Sequence, residues 1–139
     1  MTELLAEVEP DAVPAAGYVV PHAGYVYSGS TAAHAFAALA LDPPERILLL
    51  GPTHRVYVAG IALAGVDGFE TPLGVVAGDR DLVAALRESP AVCVRPDVHA
   101  EEHSLEVQLP FLQVVAPYVP VVPLAVGDVD AQTVADVIE

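Results

Sequence analysis

Basic residues are scarce in this chain, five against nineteen acidic ones among 139, and the formal net charge is -14. Nucleic-acid binding depends on Lys and Arg neutralising phosphates, and five scattered cations make no such patch. An anionic membrane surface is disfavoured on the same ground, and the acidity is read as a source of solubility. Cysteine is nearly absent too. A lone Cys93 closes no internal disulfide and suits a reducing compartment. The opening MTELLAEVEP lacks the basic n-region and apolar h-region of a signal peptide. Formal charge is missing altogether from Ala12 to Leu41, but Pro14, Pro21, His22, Ser28 and Ser30 interrupt that stretch, so it is not a membrane span. These absences lead us to expect a cytoplasmic protein without nucleic-acid or membrane partners.

No repeat, low-complexity block or linker divides the chain, and its length suits one domain able to bury about two-thirds of its unfolded surface. Hydrophobic residues make up 54% of it, high for a free-standing domain, which points to unmet partners. Short apolar runs alternate with helical segments. Gly17–Val20 reads as a buried strand stopped by Pro21, and Ile47–Leu50 as a second stopped at Gly51-Pro52. Between them Ser28 or Ser30 caps a helix through TAAHAFAALAL, ended by Asp42-Pro43-Pro44. Val58–Val66 is expected as a strand, Asp67-Gly68 as a turn and Leu73–Ala77 as a returning strand. Asp79–Glu88 fits a helix with Leu82, Ala85 and Leu86 inward, and Ala91–Val94 a short strand. Ser104–Val115 reads as one helix bent at Pro110, followed by a strand over Val119–Val126 and a helix from Asp130. Strands alternating with helices predict a three-layer α/β/α sandwich around a mixed, largely parallel sheet.

Two of these segments share a design. Val-Val-Pro-His sets His22 just beyond one apolar run, and Leu-Gly-Pro-Thr-His sets His54 just beyond another. Ligands of open α/β sheets gather at the carboxyl ends of strands, and a proline-stiffened loop holds an imidazole where a metal needs it. Imidazole suits iron, copper, zinc and nickel. The plain alternative is two loop histidines satisfied by backbone groups. A rival site is His99-Ala-Glu-Glu-His103, which fits the H-x-x-E-H pattern of a zinc peptidase with Glu102 as base, although Pro96-Asp97 makes it straddle a helix start. The acids Glu101 and Glu102 also read simply as first-turn residues favoured by the helix dipole. His34, Tyr25 and Tyr27 are read as packing or surface residues, and Cys93 as a small apolar one. Neither a G-x-S-x-G elbow nor a phosphate-binding loop with its Lys is present.

Three motifs taken together carry a resemblance. Pro21-His22-Ala23-Gly24-Tyr25-Val26-Tyr27-Ser28-Gly29, then Gly51-Pro52-Thr53-His54, then Glu102-His103-Ser104-Leu105-Glu106 with Leu109-Pro110-Phe111 resemble the Memo family, whose prokaryotic members are called AmmeMemoRadiSam system protein B. The resemblance runs from about Gly17 to Gly127. It implies a fold similar to the class III extradiol dioxygenases and a redox-active or divalent metal, iron(II) or copper, with His22 and His54 as ligands. His103 would then stand in or beside the pocket as a supporting or proton-transfer group. The family's third ligand is a cysteine in its C-terminal half, which Cys93 does not replace. On this reading the chain is a partial Memo-like domain over residues 1–139 with an incomplete metal site, prone to self-association. Family partners implied are AMMECR-type and radical-SAM proteins. The residues leave open whether the intact protein has a redox or dioxygenase-like activity or is a metal-binding interaction scaffold.

Overall fold

A computed structural model describes residues 1–9 and 15–139; Ala12 and Pro14, in the uncharged run, lie outside the described residues. The core is a four-stranded sheet. Its strands are β1 (Ile47–Pro52), β2 (Ile61–Leu63), β5 (Val92–Val94) and β6 (Val121–Val126), in the order β1-β6-β2-β5. β1 runs parallel to β6 with Ile47 opposite Val121, and β2 runs parallel to β5 but antiparallel to β6. Two parallel pairs and one antiparallel pair make the expected mixed, largely parallel sheet. A separate hairpin, β3 (Gly68–Thr71) and β4 (Gly74–Ala77), stands beside it.

The strands are apolar throughout because both faces are covered, and their two-residue period sorts the side chains. Ile47, Leu49, Val121, Ala62 and Ala125 belong to one face. They pack under α2 (Tyr25–Leu39), α4 (Pro96–His99), α5 (His103–Glu106) and α6 (Leu109–Val115). Leu48, Val122, Leu124, Ile61 and Leu63 belong to the other, under α3 (Arg80–Leu86) and α7 (Ala131–Ile138). The three-layer sandwich follows directly. Phe36 of α2 stacks on Phe111 of α6 with ring centroids 4.6 Å apart, locking those two helices together. A short α1 (Thr2–Ala6) lies against α2. No described helix is long and apolar enough to cross a membrane.

Several expected boundaries move. Gly17–Val20 is not a strand: Val19 is fully exposed while Val20 reaches the α2–α6 core, so the segment runs along the helical layer with no strand beside it. β-Propensity without a ladder partner leaves extended coil. The helix after it starts at Tyr25 with Gly24 as N-cap, and Ser28 donates its hydroxyl back to Ala23 O at 3.1 Å instead of capping. β1 continues through Gly51 and Pro52, since Pro52 still pairs in register with Val126. Of Val58–Val66 only Ile61–Leu63 is strand, because Gly60 takes φ +108 and breaks the run. The hairpin turns at Pro72-Leu73 rather than Asp67-Gly68, with Gly68 already paired to Ala77. Ala85 is exposed, whereas Leu82 and Leu86 pack inward as expected. Ser104–Val115 is two helices, because Pro110 has no N–H to continue a ladder and instead sits in the first turn of α6.

Candidate metal centre

At the carboxyl end of β1 the chain carries His54 up to the first turn of α5. The approach is close. A Cβ on Gly51 would stand 2.8 Å from both Leu105 Cδ2 and Ser104 Oγ, so only glycine lets α5 settle on the strand. Ser104 then donates its hydroxyl to Pro52 O at 2.9 Å, tying helix to strand end. Glu102 is the N-cap of α5, and its carboxylate accepts the backbone N–H of Ser104 at 2.9 Å. The same carboxylate accepts the backbone N–H of His54 at 2.6 Å through Oε2 and faces His54 Nδ1 at 2.8 Å through Oε1. Burial pushes the Glu102 carboxyl up, but these hydrogen bonds outweigh it and hold the group down at about 2. Glu102 is therefore an ionised carboxylate at 1% side-chain exposure, surrounded by donors.

That carboxylate fixes the tautomer of His54. With Nδ1–H donated to Glu102, the lone pair lies on Nε2, on the outer edge of the ring. His103 Nδ1 lies 3.4 Å from the same Oε1, so one buried acid faces two imidazoles. His22 completes a triangle of rings. Its centroid is 5.2 Å from that of His54 and 5.9 Å from that of His103, and the latter two are 4.8 Å apart. His54, Glu102 and His103 each offer a ligand atom within 4.8 Å of the others. His22 reaches this place from coil, not from a strand. Gln108, 3% exposed, holds its loop by donating Nε2 to Pro21 O at 3.1 Å.

The H-x-x-E-H motif does not survive as a unit. His99 ends α4, while Glu102 and His103 open α5, so the two histidines do not ride one formed helix. His99 Nε2 is taken up by Ala62 O at 2.9 Å, and burial lowers its basicity despite that bond. Glu102 is caged by donors and is not free to act as a base. Cys93 is half-buried on β5 with its thiol 3.6 Å from Ile61 O, and His34 and Tyr27 are exposed. Tyr25 packs edge-on against Phe111. Sequence reasoning missed the two organising residues, Glu102 as the acid orienting His54 and Gln108 as the anchor of the His22 loop. An acid directly before an amphipathic His-Ser-Leu turn was the available sign for the first, since it occupies an N-cap position.

The Memo-like protein family model matches residues 1–139. A MEMO1 family protein of Methanothermobacter thermautotrophicus is 36% identical over 140 residues, covering 94% of this chain and 50% of that protein. One from Methanosarcina barkeri is 42% identical over 122 residues, covering 87% of this chain and 44% of its own length. Another, from Archaeoglobus fulgidus, is 41% identical over 123 residues, covering 87% and 45%. The chain spans about half the length of these curated relatives. With the family model matching residues 1–139 and these relatives 36–42% identical, the chain belongs to the Memo family.

Proposed function

We propose that the chain provides a metal centre in which His22 and His54 are ligands, and that the metal is iron or copper. One observation carries the reading: Glu102 pins His54 through Nδ1, which leaves Nε2 as the donor on the edge of a ring 5.2 Å from that of His22. This carboxylate–histidine pairing is the usual support for a metal-bound imidazole. The donor set fits the metal, because neutral imidazoles suit iron, copper and zinc rather than calcium or magnesium. Iron or copper held there would supply redox chemistry or Lewis acidity, and a redox or dioxygenase-like activity of the intact protein follows as part of this proposal. The chain's own contribution is to bind and to orient. Glu102 sets the proton on His54, Ser104 ties α5 to the strand end, and Gln108 holds the Pro21 carbonyl. A single free Cys93 suits a reducing compartment, which supports a cytoplasmic setting for this chemistry as part of the same reading.

The test is metal analysis of the purified chain after anaerobic loading with iron(II) and, separately, with copper. We expect the wild type to retain metal through gel filtration and the His22→Ala/His54→Ala double variant to lose it. Equal metal content in the two proteins would remove the proposal. An interaction scaffold without catalysis predicts the same metal content but no turnover with any redox or oxygenase substrate. The peptidase reading gains no support from the placement of His99 and Glu102.

A further inference from the structure

We infer that the free edge of β1 is one wall of a strand-shaped slot, and that its occupant is an apolar β-strand from polypeptide beyond these 139 residues. The inference is independent of the metal reading. It begins with the backbone of β1. Ile47 N–H donates to Pro120 O and Thr53 N–H to Val126 O, both at 3.0 Å. Alternate residues of a strand turn their peptide groups to the same neighbour, so Ile47, Leu49 and Gly51 face β6, and Leu48 and Leu50 face away from it. Among the described residues no strand stands on that side, because β1 ends the order β1-β6-β2-β5. Edges left open are normally blunted by charge, proline or brevity. This one is six residues long and opens Ile-Leu-Leu-Leu, with Leu50 38% exposed.

The space beside that edge has the form of a missing strand. A cavity of about 490 Å³ is lined by Leu48 and Leu49 of β1 and by Gly17, Tyr18 and Val20 of the coil segment. Phe36 and Leu112 line it from the α2–α6 layer, and Leu82 and Ile138 from the α3–α7 layer. It therefore lies in the middle layer of the sandwich, the place of the sheet. The coil along it already has strand character. Tyr18 and Val20 are half-buried while Val19 is fully exposed, the two-residue alternation of a strand. Val20 packs on the same core cluster as Ile47 and Leu49. A strand entering the slot would pair with Leu48 and Leu50 and give Gly17–Val20 a ladder partner. Its side chains would meet apolar helices on both faces, which calls for a continuous Val/Ile/Leu run. The curated relatives indicate a source, since half or slightly more of each lies outside its match to this chain. A second copy of this chain fits poorly, because its own β1 is flanked by the same coil and helices and cannot enter a walled slot.

The experiment mixes the 139-residue chain with the part of the Methanothermobacter thermautotrophicus relative that lies outside the match, produced as a separate polypeptide. Gel filtration reads the complex, and hydrogen exchange reads each amide. We expect a complex in which the Leu48 and Leu50 amides, and alternate amides of Gly17–Val20, exchange about tenfold or more slowly than in the chain alone, the factor one hydrogen bond supplies. Leu50→Pro removes an N–H that faces the slot and leaves the β6 side intact, as proline at a strand edge allows. It should weaken the complex by about tenfold or more. Val94→Pro makes the same kind of change at the opposite edge, on β5, and should leave the complex as it is. The wild-type exchange pattern decides by itself should the proline variant not fold. No complex, a complex that leaves Leu48 and Leu50 unprotected, or one equally tight with Leu50→Pro overturns the inference. So does a stable dimer of the chain alone that protects Leu48 and Leu50, which would assign the edge to a second copy.

Discussion

His22 and His54 look alike in the sequence, two and four residues beyond an apolar run and one and two residues after a proline, yet the fold supports them differently. His54 leaves a strand paired along its whole length with β6 and is gripped at once by Glu102, through its backbone N–H and its ring. His22 leaves coil whose neighbour Val19 is fully exposed, and its loop is held from Gln108 by a bond to Pro21 O. Equal motifs therefore produce one preorganised imidazole and one adjustable imidazole. A rigid ligand sets the position of a metal, and a looser one closes on it.

The comparison breaks most violently at Glu102. Replacing it with Ala strips the acceptor from the His54 and Ser104 N–H groups in a buried place, and unpaired buried donors cost about 1–3 kcal/mol each. We expect a loss of about 3–4 kcal/mol in urea unfolding, with a folded remainder that binds metal poorly. A loss below about 1 kcal/mol would show that the His54 side is no more rigid than the His22 side. Gly51→Ala ranks next. Its methyl would meet Leu105 and Ser104 at 2.8 Å, and overpacking of this kind costs about 1–3 kcal/mol. Both effects should appear as raised hydrogen exchange at His54 and Ser104, with little change at residues 21–24.

What the sequence discloses follows the same division. The apolar runs Ile47–Leu50 and Val121–Val126, the helix over Thr31–Leu39 and the histidine candidates are legible, because apolar periodicity and proline punctuation are local signals. Gly17–Val20 reads equally apolar but forms no strand, since pairing depends on what lies alongside, and that is set by tertiary packing. The split of α5 from α6 was half visible: Pro110 announces a bend, but only the fold shows it starting a new helix. The Glu102–His54 bond joins residues 48 apart and the Gln108–Pro21 bond residues 87 apart, and no pattern within a short window discloses such pairs. The nature of each candidate was thus readable, and the rigidity of each was not.

The smallest expected effect is also the most discriminating, because it acts on the loose side alone. Gln108→Leu keeps the shape of the buried side chain while removing its amide, so Pro21 O loses its donor and the amide oxygen, which has no hydrogen-bond partner, goes with it. Removing an already unpaired buried oxygen is favourable and offsets part of the lost bond. Stability should therefore change by less than about 1 kcal/mol. The His22 loop should respond instead, with faster exchange over residues 21–24 and metal affinity lowered by roughly tenfold, at the low end for a residue acting behind a ligand. Glutamate at 108 offers no donor either when ionised, so Gln108→Glu should loosen the loop likewise and separate loss of the donor from loss of shape. If Gln108→Leu leaves both exchange and affinity untouched, the Pro21 bond does not hold His22, and the contrast between the two histidines must come from the strand end alone.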